Sequence, residues 1–410
     1  MDLRILAITL PLLALTLIVS GWRKTLRADW LAILGLACTL IGDYFLAMTH
    51  APKDSWRFVY GVAGFSLAHG CWMAHLLRQK RLPQFAVLVG LLTPLLPYLY
   101  IQVLPNAVSH VGVAIVLYTI LSCLSLSCAV ASGKPLWMLA IGSLFISDFF
   151  ISAGSFTDDP LLGRYVAPFY LLSLVSVAVA VLFPKPSFEL HYNSLNNNKI
   201  SLFISMILYL FAVGFFVFAM LKTPSGHYQP LRQMLSYLGR RKVDGVAYPL
   251  CHYLFVLGMT FSALALAVAT PHLAAMVKWK RLRWLAELAG ALTAGGLVMI
   301  ALIPEDVNMG WHCNGCGVAA LGGGLFLVML WPQRWEWLLA GELLLVFGVF
   351  EVCIFLHRMH RIPFVPAVPT LQKALIVSFM LWGIWQCVKA GRRKSPSTAK
   401  VPEAKGNSPS

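Results

Sequence analysis

The fold of this chain is decided by apolar runs such as Leu3-Arg-Ile-Leu-Ala-Ile-Thr-Leu-Pro-Leu-Leu-Ala-Leu-Thr-Leu-Ile-Val-Ser-Gly21. A membrane-spanning helix needs roughly 20 predominantly apolar residues with few charges. No small-residue cleavage site follows this run, and Arg23, Lys24 and Arg27 come soon after it. A cleaved signal peptide would need such a site, so we interpret the run as a retained membrane span.

The composition excludes a soluble fold. Hydrophobic residues make up 59% of the 410 residues and charged residues only 12%, whereas a typical soluble protein is about 25% charged. Polar side chains are therefore too scarce to cover the protein in water. The predicted fold class is all-α: a polytopic integral membrane protein with about 13 transmembrane helices in two helical modules.

The excess of basic over acidic residues is explained by contact with a membrane. A formal net charge of +16 in a soluble protein would suggest nucleic-acid binding. Here Lys and Arg lie in short loops and a terminal tail, where they set topology and meet anionic headgroups. The expected partners are therefore the lipid bilayer and a membrane lipid, and no nucleic acid.

Apolar runs recur along nearly the whole chain, and one polar segment separates them into two groups. The predicted spans are roughly 3–21, 29–49, 57–77, 84–104, 108–131, 135–155, 164–183, 201–221, 247–269, 284–303, 312–331, 336–356 and 371–390. A segment rich in Pro, Asn and Lys at 186–200 is typical of a linker. We therefore predict membrane modules at 1–185 and 201–391, followed by a disordered basic tail at 392–410.

Loop charges predict the orientation in the membrane. Four basic segments fall on one side if thirteen spans are present: Arg23–Arg27, Arg78–Arg81, Lys278–Arg283 and the tail after Lys389. Basic loops face the cytoplasm, although the basic loops Lys222–Lys242 and His357–Arg361 disagree. The prediction is a multi-pass protein of the bacterial inner (plasma) membrane with a cytoplasmic C-terminus.

Three ionisable residues inside the predicted spans of the first module stand out. Asp43 is in Leu40-Ile-Gly-Asp-Tyr-Phe-Leu46, His69 is in Gly64-Phe-Ser-Leu-Ala-His69, and Asp148 is in Gly142-Ser-Leu-Phe-Ile-Ser-Asp-Phe-Phe150. Ionisable groups in a bilayer are costly, so they are functional candidates. A packing histidine and helix-stapling aspartates are the structural alternative. Their similar predicted depth favours a shared polar pocket.

The residue types suit two kinds of chemistry. A carboxyl group in hydrocarbon favours its neutral form and can act as a general acid, while a second carboxylate can stabilise a developing cation and orient water. This pair suits cleavage of an acid-labile ether. It suits a proton relay in a transporter equally well, and the residues alone do not choose between them.

These residues carry a resemblance to a known family. Gly42-Asp43, then Phe58-x-x-Gly61-x-x-x-Phe65-x-x-Ala68-His69, then Gly142-x-x-x-x-Ser147-Asp148 resembles the YhhN family of lysoplasmalogenase-like membrane hydrolases. The resemblance covers roughly residues 1–185. It implies an ether hydrolase without a metal or other cofactor, which cleaves the vinyl-ether bond of lysoplasmalogen-type lysophospholipids to a fatty aldehyde and a glycerophospho-base.

The resemblance also implies site residues. The paired aspartates of the family fall on Asp43 and Asp148, and its histidine falls on His69. The substrate-binding candidates next to or within these motifs are Tyr44, Phe65 and Ser147. Because residues 165–173 lack a glutamine that members carry, another ether lipid or lysolipid is an alternative substrate.

The second module resembles a six-span bacterial membrane family of unknown function. The resemblance rests on Leu235-Ser-Tyr-Leu-Gly239 and on Ile303-Pro-Glu-Asp306 followed by His312. A possible second site consists of His252, Glu305, Asp306 and His312. Histidine and carboxylate side chains can bind zinc, but their spacing matches no metal signature, so ordinary polar residues at helix ends are the favoured interpretation.

Trp311-His-Cys-Asn-Gly-Cys316 contains two cysteines at a spacing that several functions use. A structural disulfide, two free thiols, and a redox or metal function are the alternatives. Gly317 stands where a haem-attachment motif needs histidine, and no thioredoxin-like pattern surrounds the pair.

Three functions compete for the whole chain. The leading hypothesis is a membrane lipid hydrolase in the first module. The second is a transporter that moves protons or lipid through the same aspartates, although the two halves show no inverted repeat. The third is a lipid-binding protein without turnover.

Overall fold

The computed structural model describes most of the chain as helices. The described residues are 6–22, 26–49, 52, 55–78, 84–157, 160–183, 195–223, 228–229, 233–243, 245–277, 279–330, 341, 348–349, 352, 356 and 367–392. Within them the chain forms twelve α-helices and one pair of two-residue strands.

Seven helices make up the first half. They are α1 (Leu6–Trp22), α2 (Leu26–Ala47), α3 (Trp56–Leu77), α4 (Phe85–Tyr98), α5 (Ser109–Ser132), α6 (Pro135–Phe156) and α7 (Val166–Leu182). Helix α4 continues through a π-helical segment, Leu99–Val103, and a short 3-10 turn, Leu104–Asn106. Pro94 and Pro97 lie inside α4, and proline removes backbone donors from the ladder, which accounts for the irregular end.

Five further helices belong to the second half. They are α8 (Leu195–Lys222), α9 (Pro249–Ala274), α10 (Arg283–Leu302), α11 (Glu305–Met329) and α12 (Ala367–Arg392). Between α8 and α9 come a 3-10 turn, Leu235–Gly239, and the antiparallel strands β1 (Lys242–Val243) and β2 (Val246–Ala247). Gly245 turns the chain between these strands at φ +80°, a conformation that glycine adopts without strain.

The prediction of a multi-pass helical membrane protein is confirmed, but not the count of thirteen spans. In the described part of the chain, nine helical segments are long and apolar enough to cross a membrane. Helices α1, α3 and α12 are not among the nine. Twelve of the predicted spans coincide with the twelve helices, whereas the span at 336–356 lies almost wholly outside the described residues.

Two predicted boundaries change. Helix α8 begins at Leu195, so residues 195–200 are helical rather than part of a linker, while 186–194 and the tail at 393–410 lie outside the described residues. Helix α11 begins at Glu305 instead of residue 312. Asn308, at φ −155° and ψ 97°, interrupts the regular helix in its first turns. The polar residues Glu305, Asp306 and Asn308 are typical of a loop, so the sequence predicts a later start.

Close packing of α2 against α3 positions the two candidate residues that these helices carry. A Cβ on Gly64 would lie 2.6 Å from the backbone nitrogen of Gly42, so the helices touch through backbone. About two turns away, a Cβ on Gly35 would lie 2.2 Å from Trp72 Nε1. This nitrogen donates a hydrogen bond of 3.1 Å to the Ala32 carbonyl. This contact fixes Asp43 and His69 relative to each other.

The two halves meet along α4 and α10. A Cβ on Gly295 would lie 2.7 Å from the Gly90 carbonyl oxygen. Gln102 joins both halves because its Nε2 donates to the Leu302 carbonyl at 2.7 Å and its Oε1 accepts from Arg241 Nη2 at 2.9 Å. The halves therefore share a tightly packed, hydrogen-bonded contact.

Candidate functional site

Asp148 lies on α6 in the wall of a cavity inside the first half. Its side chain is 13% exposed, and its Oδ2 accepts a hydrogen bond of 2.5 Å from the Tyr118 hydroxyl on α5. The same oxygen lies 3.9 Å from His69 Nε2. Three helices thus bring a carboxyl, a phenol and an imidazole together.

His69 is fully buried on α3, with 0% of its side chain exposed. Its Nε2 is 3.4 Å from the Ser122 hydroxyl of α5. The edge-to-face contacts of the imidazole with Trp72 and Tyr118 hold the ring in place, with centroids 5.9 and 5.5 Å away. Because Nε2 faces both Ser122 and Asp148, the imidazole can orient the Asp148 carboxyl.

Asp43 occupies a separate, deeper position on α2. It is 2% exposed, and its Oδ2 accepts hydrogen bonds from the Tyr170 hydroxyl at 2.7 Å and from Thr9 Oγ1 at 3.3 Å. Thr9 is on α1 and Tyr170 is on α7, so these two helices hold Asp43 apart from the cavity that Asp148 lines.

A cavity of about 70 Å³ lies beside Asp148. Its wall is mostly apolar and includes Phe58, Val62, Phe65, Leu95, Ile115 and Phe149. The polar groups that reach it are Asp148, Tyr118, Thr119, Ser122 and Ser152. Asp43 and His69 are not part of this wall, so Asp148 is the predicted catalytic residue in direct reach of a bound molecule.

The predicted substrate-binding residues separate in the structure. Phe65 lines the cavity and packs edge-to-face on Tyr170, with ring centroids 5.9 Å apart. Ser147 is buried and donates to the Val166 carbonyl at 3.1 Å, so it joins α6 to α7. Tyr44 is 50% exposed on the outside of α2, because adjacent residues of a helix point about 100° apart. The structure therefore does not bring Tyr44 into the cavity.

Uncharged polar residues of the site do not stand out among ionisable groups in apolar spans. They are Thr9, Tyr118, Thr119, Ser122, Ser152 and Tyr170. Two tyrosines in the spans at 108–131 and 164–183 were the available signal, since a buried Tyr hydroxyl usually finds a hydrogen-bond partner.

Several buried polar atoms of this site have no hydrogen-bond partner among the described residues. They are Asp43 Oδ1, His69 Nδ1 and Ser152 Oγ. Most buried polar atoms in proteins are satisfied, and exceptions often mark sites for water or a ligand. Ser152 also lines the cavity, so its hydroxyl is available to a polar group bound there.

In the second half, Glu305 and Asp306 hold the segment that connects α8 to α9. Glu305 accepts from Ser236 Oγ at 3.1 Å and forms an ion pair with Arg240. Asp306 Oδ2 accepts from the backbone N–H groups of Arg241 and Lys242 at 2.9 and 3.1 Å. Both carboxylates lie in the first turn of α11, where negative charge stabilises a helix.

His252 and His312 each contact a backbone carbonyl instead of a shared ligand position. His252 Nδ1 lies 2.6 Å from the Gly239 oxygen, and His312 Nδ1 lies 2.9 Å from the Ile303 oxygen. Within the described ranges, no group of three or more His, Cys, Asp or Glu side chains could hold a metal ion. The four residues of the possible second site therefore stabilise the α11 end of the module.

Cys313 and Cys316 lie about one turn apart on α11. The Cys313 sulfur lies 3.8 Å from the Met309 sulfur, which is one turn away on the same helix.

Comparisons with known proteins give a family match in the first half of the chain. No curated protein matches the chain, and no solved structure matches it either. One family model does match, and it covers the segment that carries Asp43, His69 and Asp148. Over residues 3–183 the chain matches the model of the YhhN family, which confirms the resemblance inferred from the sequence.

Proposed function

We propose that this protein is a membrane-embedded hydrolase that cleaves the vinyl-ether bond of lysoplasmalogen-type lysophospholipids. The observation that carries this proposal is the Asp148 carboxyl in the wall of an apolar cavity, hydrogen-bonded by Tyr118 and approached by His69. The match of residues 3–183 to the YhhN family supports it. The same site would also accept another ether lipid with the same reactive bond.

The cavity suits a substrate with an alkyl chain and one reactive polar bond. Its aromatic and aliphatic wall favours hydrocarbon, since burial of apolar surface is favourable at roughly 25 cal/mol per Å². Asp148 and the unpartnered hydroxyl of Ser152 supply polar groups in that wall. A vinyl ether joins an alkenyl chain to a glycerol oxygen, so it presents both features side by side.

The proposed reaction starts with a proton transfer from the Asp148 carboxyl to the terminal carbon of the vinyl-ether double bond. The π electrons form the new C–H bond, and the positive charge is shared by the adjacent carbon and the ether oxygen. Water adds to that carbon and returns a proton to the Asp148 carboxylate. The resulting hemiacetal loses the glycerol oxygen as a hydroxyl and leaves a fatty aldehyde, so one water is consumed for each bond cleaved.

Asp43 and His69 support this chemistry from behind the cavity wall. Asp43, whose Oδ2 is held by the Tyr170 hydroxyl, would stabilise the oxocarbenium ion as it forms, because electrostatic interactions are strong in a dry site. His69 Nε2, 3.9 Å from Asp148 Oδ2, acts as a positioning residue for the carboxyl. These roles assign proton transfer to Asp148 and charge stabilisation to Asp43.

The test is aldehyde release from a vinyl-ether lysophospholipid by the purified full-length protein in detergent. We expect release by the wild type and a loss of about 10²-fold or more in Asp148→Asn, with a smaller loss in Asp43→Asn. Glu287→Gln is the matched control, because Glu287 is a partly buried carboxyl on α10 away from the cavity wall. A saturated alkyl-ether analogue, which has no double bond to protonate, should give no product.

Two outcomes would count against hydrolysis. If folded wild-type protein releases no aldehyde from any ether lysolipid, the hydrolase proposal is wrong. If liposomes containing the protein then carry a proton flux that Asp148→Asn abolishes, the transporter hypothesis takes its place.

We also propose the bacterial inner membrane as the location, with the C-terminus in the cytoplasm. The basic loop Lys278–Arg283 and the tail after Lys389 support this orientation. A fluorescent reporter fused after residue 410 should be active in the cytoplasm. A periplasmic phosphatase reporter at the same position would be active only if the orientation were reversed.

A further inference from the structure

The second half contains a larger, partly open cavity, which the proposed hydrolysis does not use. Its volume is about 180 Å³, and it lies among α8, α9, α10, α11 and α12. We refer to it as the α11 cavity, because α11 contributes residues from Cys316 to Leu327. For comparison, an engineered apolar cavity of about 150 Å³ stays dry and binds benzene or xenon.

The α11 cavity is long and narrow. Cys316 and Leu327 both line it, and they are about 16 Å apart along α11 at 1.5 Å of rise per residue. Gln372 and Met380 line it on α12, about 12 Å apart on the same basis. A volume of this size spread over such a length fits an extended chain and not a compact ring.

The wall of the α11 cavity offers almost no hydrogen-bonding groups. Ser262 Oγ donates to the Gly258 carbonyl at 2.9 Å, and Thr293 Oγ1 donates to the Ala289 carbonyl at 2.8 Å. Gln372 Oε1 accepts from the Leu235 N–H at 2.8 Å. Because these lining groups already bond within the protein, the cavity favours an apolar chain along most of its length.

The polar groups near the cavity gather at one end. Ser236 lines the cavity and donates to Glu305, which pairs with Arg240. Next to Gln372, Lys373 Nζ donates to the carbonyls of Gln233 and Pro369. A ligand with a polar head and an apolar tail would therefore place its head at this end and its tail toward Leu327.

We propose that the α11 cavity binds one unbranched alkyl chain. The chain could come from a membrane phospholipid or from a free fatty compound such as an aldehyde or alcohol. The inference rests on the shape and chemistry of this cavity alone, so it stands or falls separately from the hydrolase proposal.

The test is photolabelling of the purified full-length protein with two probes that carry a diazirine on an alkyl chain. One probe is a fatty alcohol, and the other is a phosphatidylcholine. Peptide mapping by mass spectrometry should place the label on lining residues of α11 and α12. Preferential labelling by one probe identifies the source of the chain, whereas label spread evenly over lipid-facing helices would overturn the proposal.

Two glycines of α11 provide a matched pair of variants. Gly323 lines the cavity, and a Cβ there would have only ordinary contacts with Phe379 and Thr293 at 3.6 and 3.7 Å. Gly317 is not in the wall, and a Cβ there meets nothing within 4 Å. Gly323→Leu fills the cavity and should reduce labelling by about tenfold or more, an effect of about 1.4 kcal/mol, whereas Gly317→Leu should leave it unchanged.

A smaller change covers the case in which Gly323→Leu does not fold. Ala320→Val also reduces the volume of the α11 cavity, since Ala320 is in the wall, and it should reduce labelling by a smaller factor. Equal labelling of the wild type and a folded cavity-filling variant would overturn the proposal.

Discussion

The Tyr118 hydroxyl donates a hydrogen bond of 2.5 Å to Asp148 Oδ2, and this bond links α5 to α6 at the wall of the cavity. When Asp148 gives up its proton in the proposed reaction, this bond becomes charge-assisted and therefore stronger than a bond between neutral groups. Tyr118 also contacts the imidazole of His69. One phenol thus sets the orientation of both groups that we assign to the reaction.

We predict that Tyr118→Phe reduces aldehyde release by about 10- to 100-fold, since a hydrogen bond to a charged group contributes about 1.5–3 kcal/mol. The change removes one oxygen and keeps the ring against His69. Steady-state kinetics on the vinyl-ether substrate measure the effect, which should fall mainly on kcat. Tyr60→Phe is the control, because Tyr60 is 50% exposed on α3. Equal activity of both variants would show that the hydroxyl does not position Asp148.

Tyr170→Phe should lower stability as well as activity. It removes the 2.7 Å hydrogen bond to Asp43 Oδ2 and leaves that oxygen with the longer bond of 3.3 Å from Thr9 Oγ1. A buried carboxyl that loses a partner costs about 1–3 kcal/mol. Unfolding in a graded detergent series measures the free energy of unfolding. Asp43→Asn and Tyr170→Phe act as one unit if each lowers the free energy of unfolding by about as much as the double variant does.

Gly64→Ala should destabilise the protein by about 1–3 kcal/mol, as other overpacking changes do. The new Cβ would lie 2.6 Å from the Gly42 backbone nitrogen, so α2 and α3 must move apart. Thermal unfolding monitored by circular dichroism measures the change. Gly70→Ala is the matched control on the same helix, because a Cβ at Gly70 meets nothing within 4 Å. Loss of stability in the Gly70 variant alone would contradict the packing argument.

Asp306→Ala should loosen the segment between α8 and α9. The change leaves the N–H groups of Arg241 and Lys242 without their carboxylate partner, at a cost of about 1 kcal/mol for partly exposed groups. Limited proteolysis should cut the variant faster between residues 239 and 248. Asp306→Asn keeps an acceptor oxygen and should be cut at nearly the wild-type rate. If both variants are cut equally fast, the negative charge of Asp306 holds the segment, and the acceptor oxygen alone does not.

The helices were predictable because each apolar run is long enough to cross a bilayer by itself. Twelve predicted spans coincide with helices for this reason. The start of α11 was not predictable, because Glu305, Asp306 and Asn308 are typical of a loop in the sequence. In the structure the two carboxylates bind a segment that lies more than 60 residues earlier in the chain, and periodicity gives no information about such a partner.

The candidate site was partly predictable for a similar reason. Charged residues in hydrocarbon are rare, so Asp43, His69 and Asp148 stood out, and the structure brings His69 close to Asp148. Their partners are Tyr118 and Tyr170, and tyrosine is common in apolar spans. These two become hydrogen-bond donors to the aspartates only because helices far apart in the chain pack together. The position of Tyr44 on the outside of α2 depends on the rotation of that helix, which the sequence pattern did not determine.

The contact between α4 and α10 has a consequence for biogenesis. Gln102 and its acceptor, the Leu302 carbonyl, are 200 residues apart in the chain. Helix α4 is therefore synthesised and inserted well before α10 exists. Until α10 is inserted, the face of α4 that carries Gly90 has no packing partner from the second half. Synthesis that stalls before α10 therefore leaves an incomplete bundle, in which the side of α4 that faces α10 is uncovered.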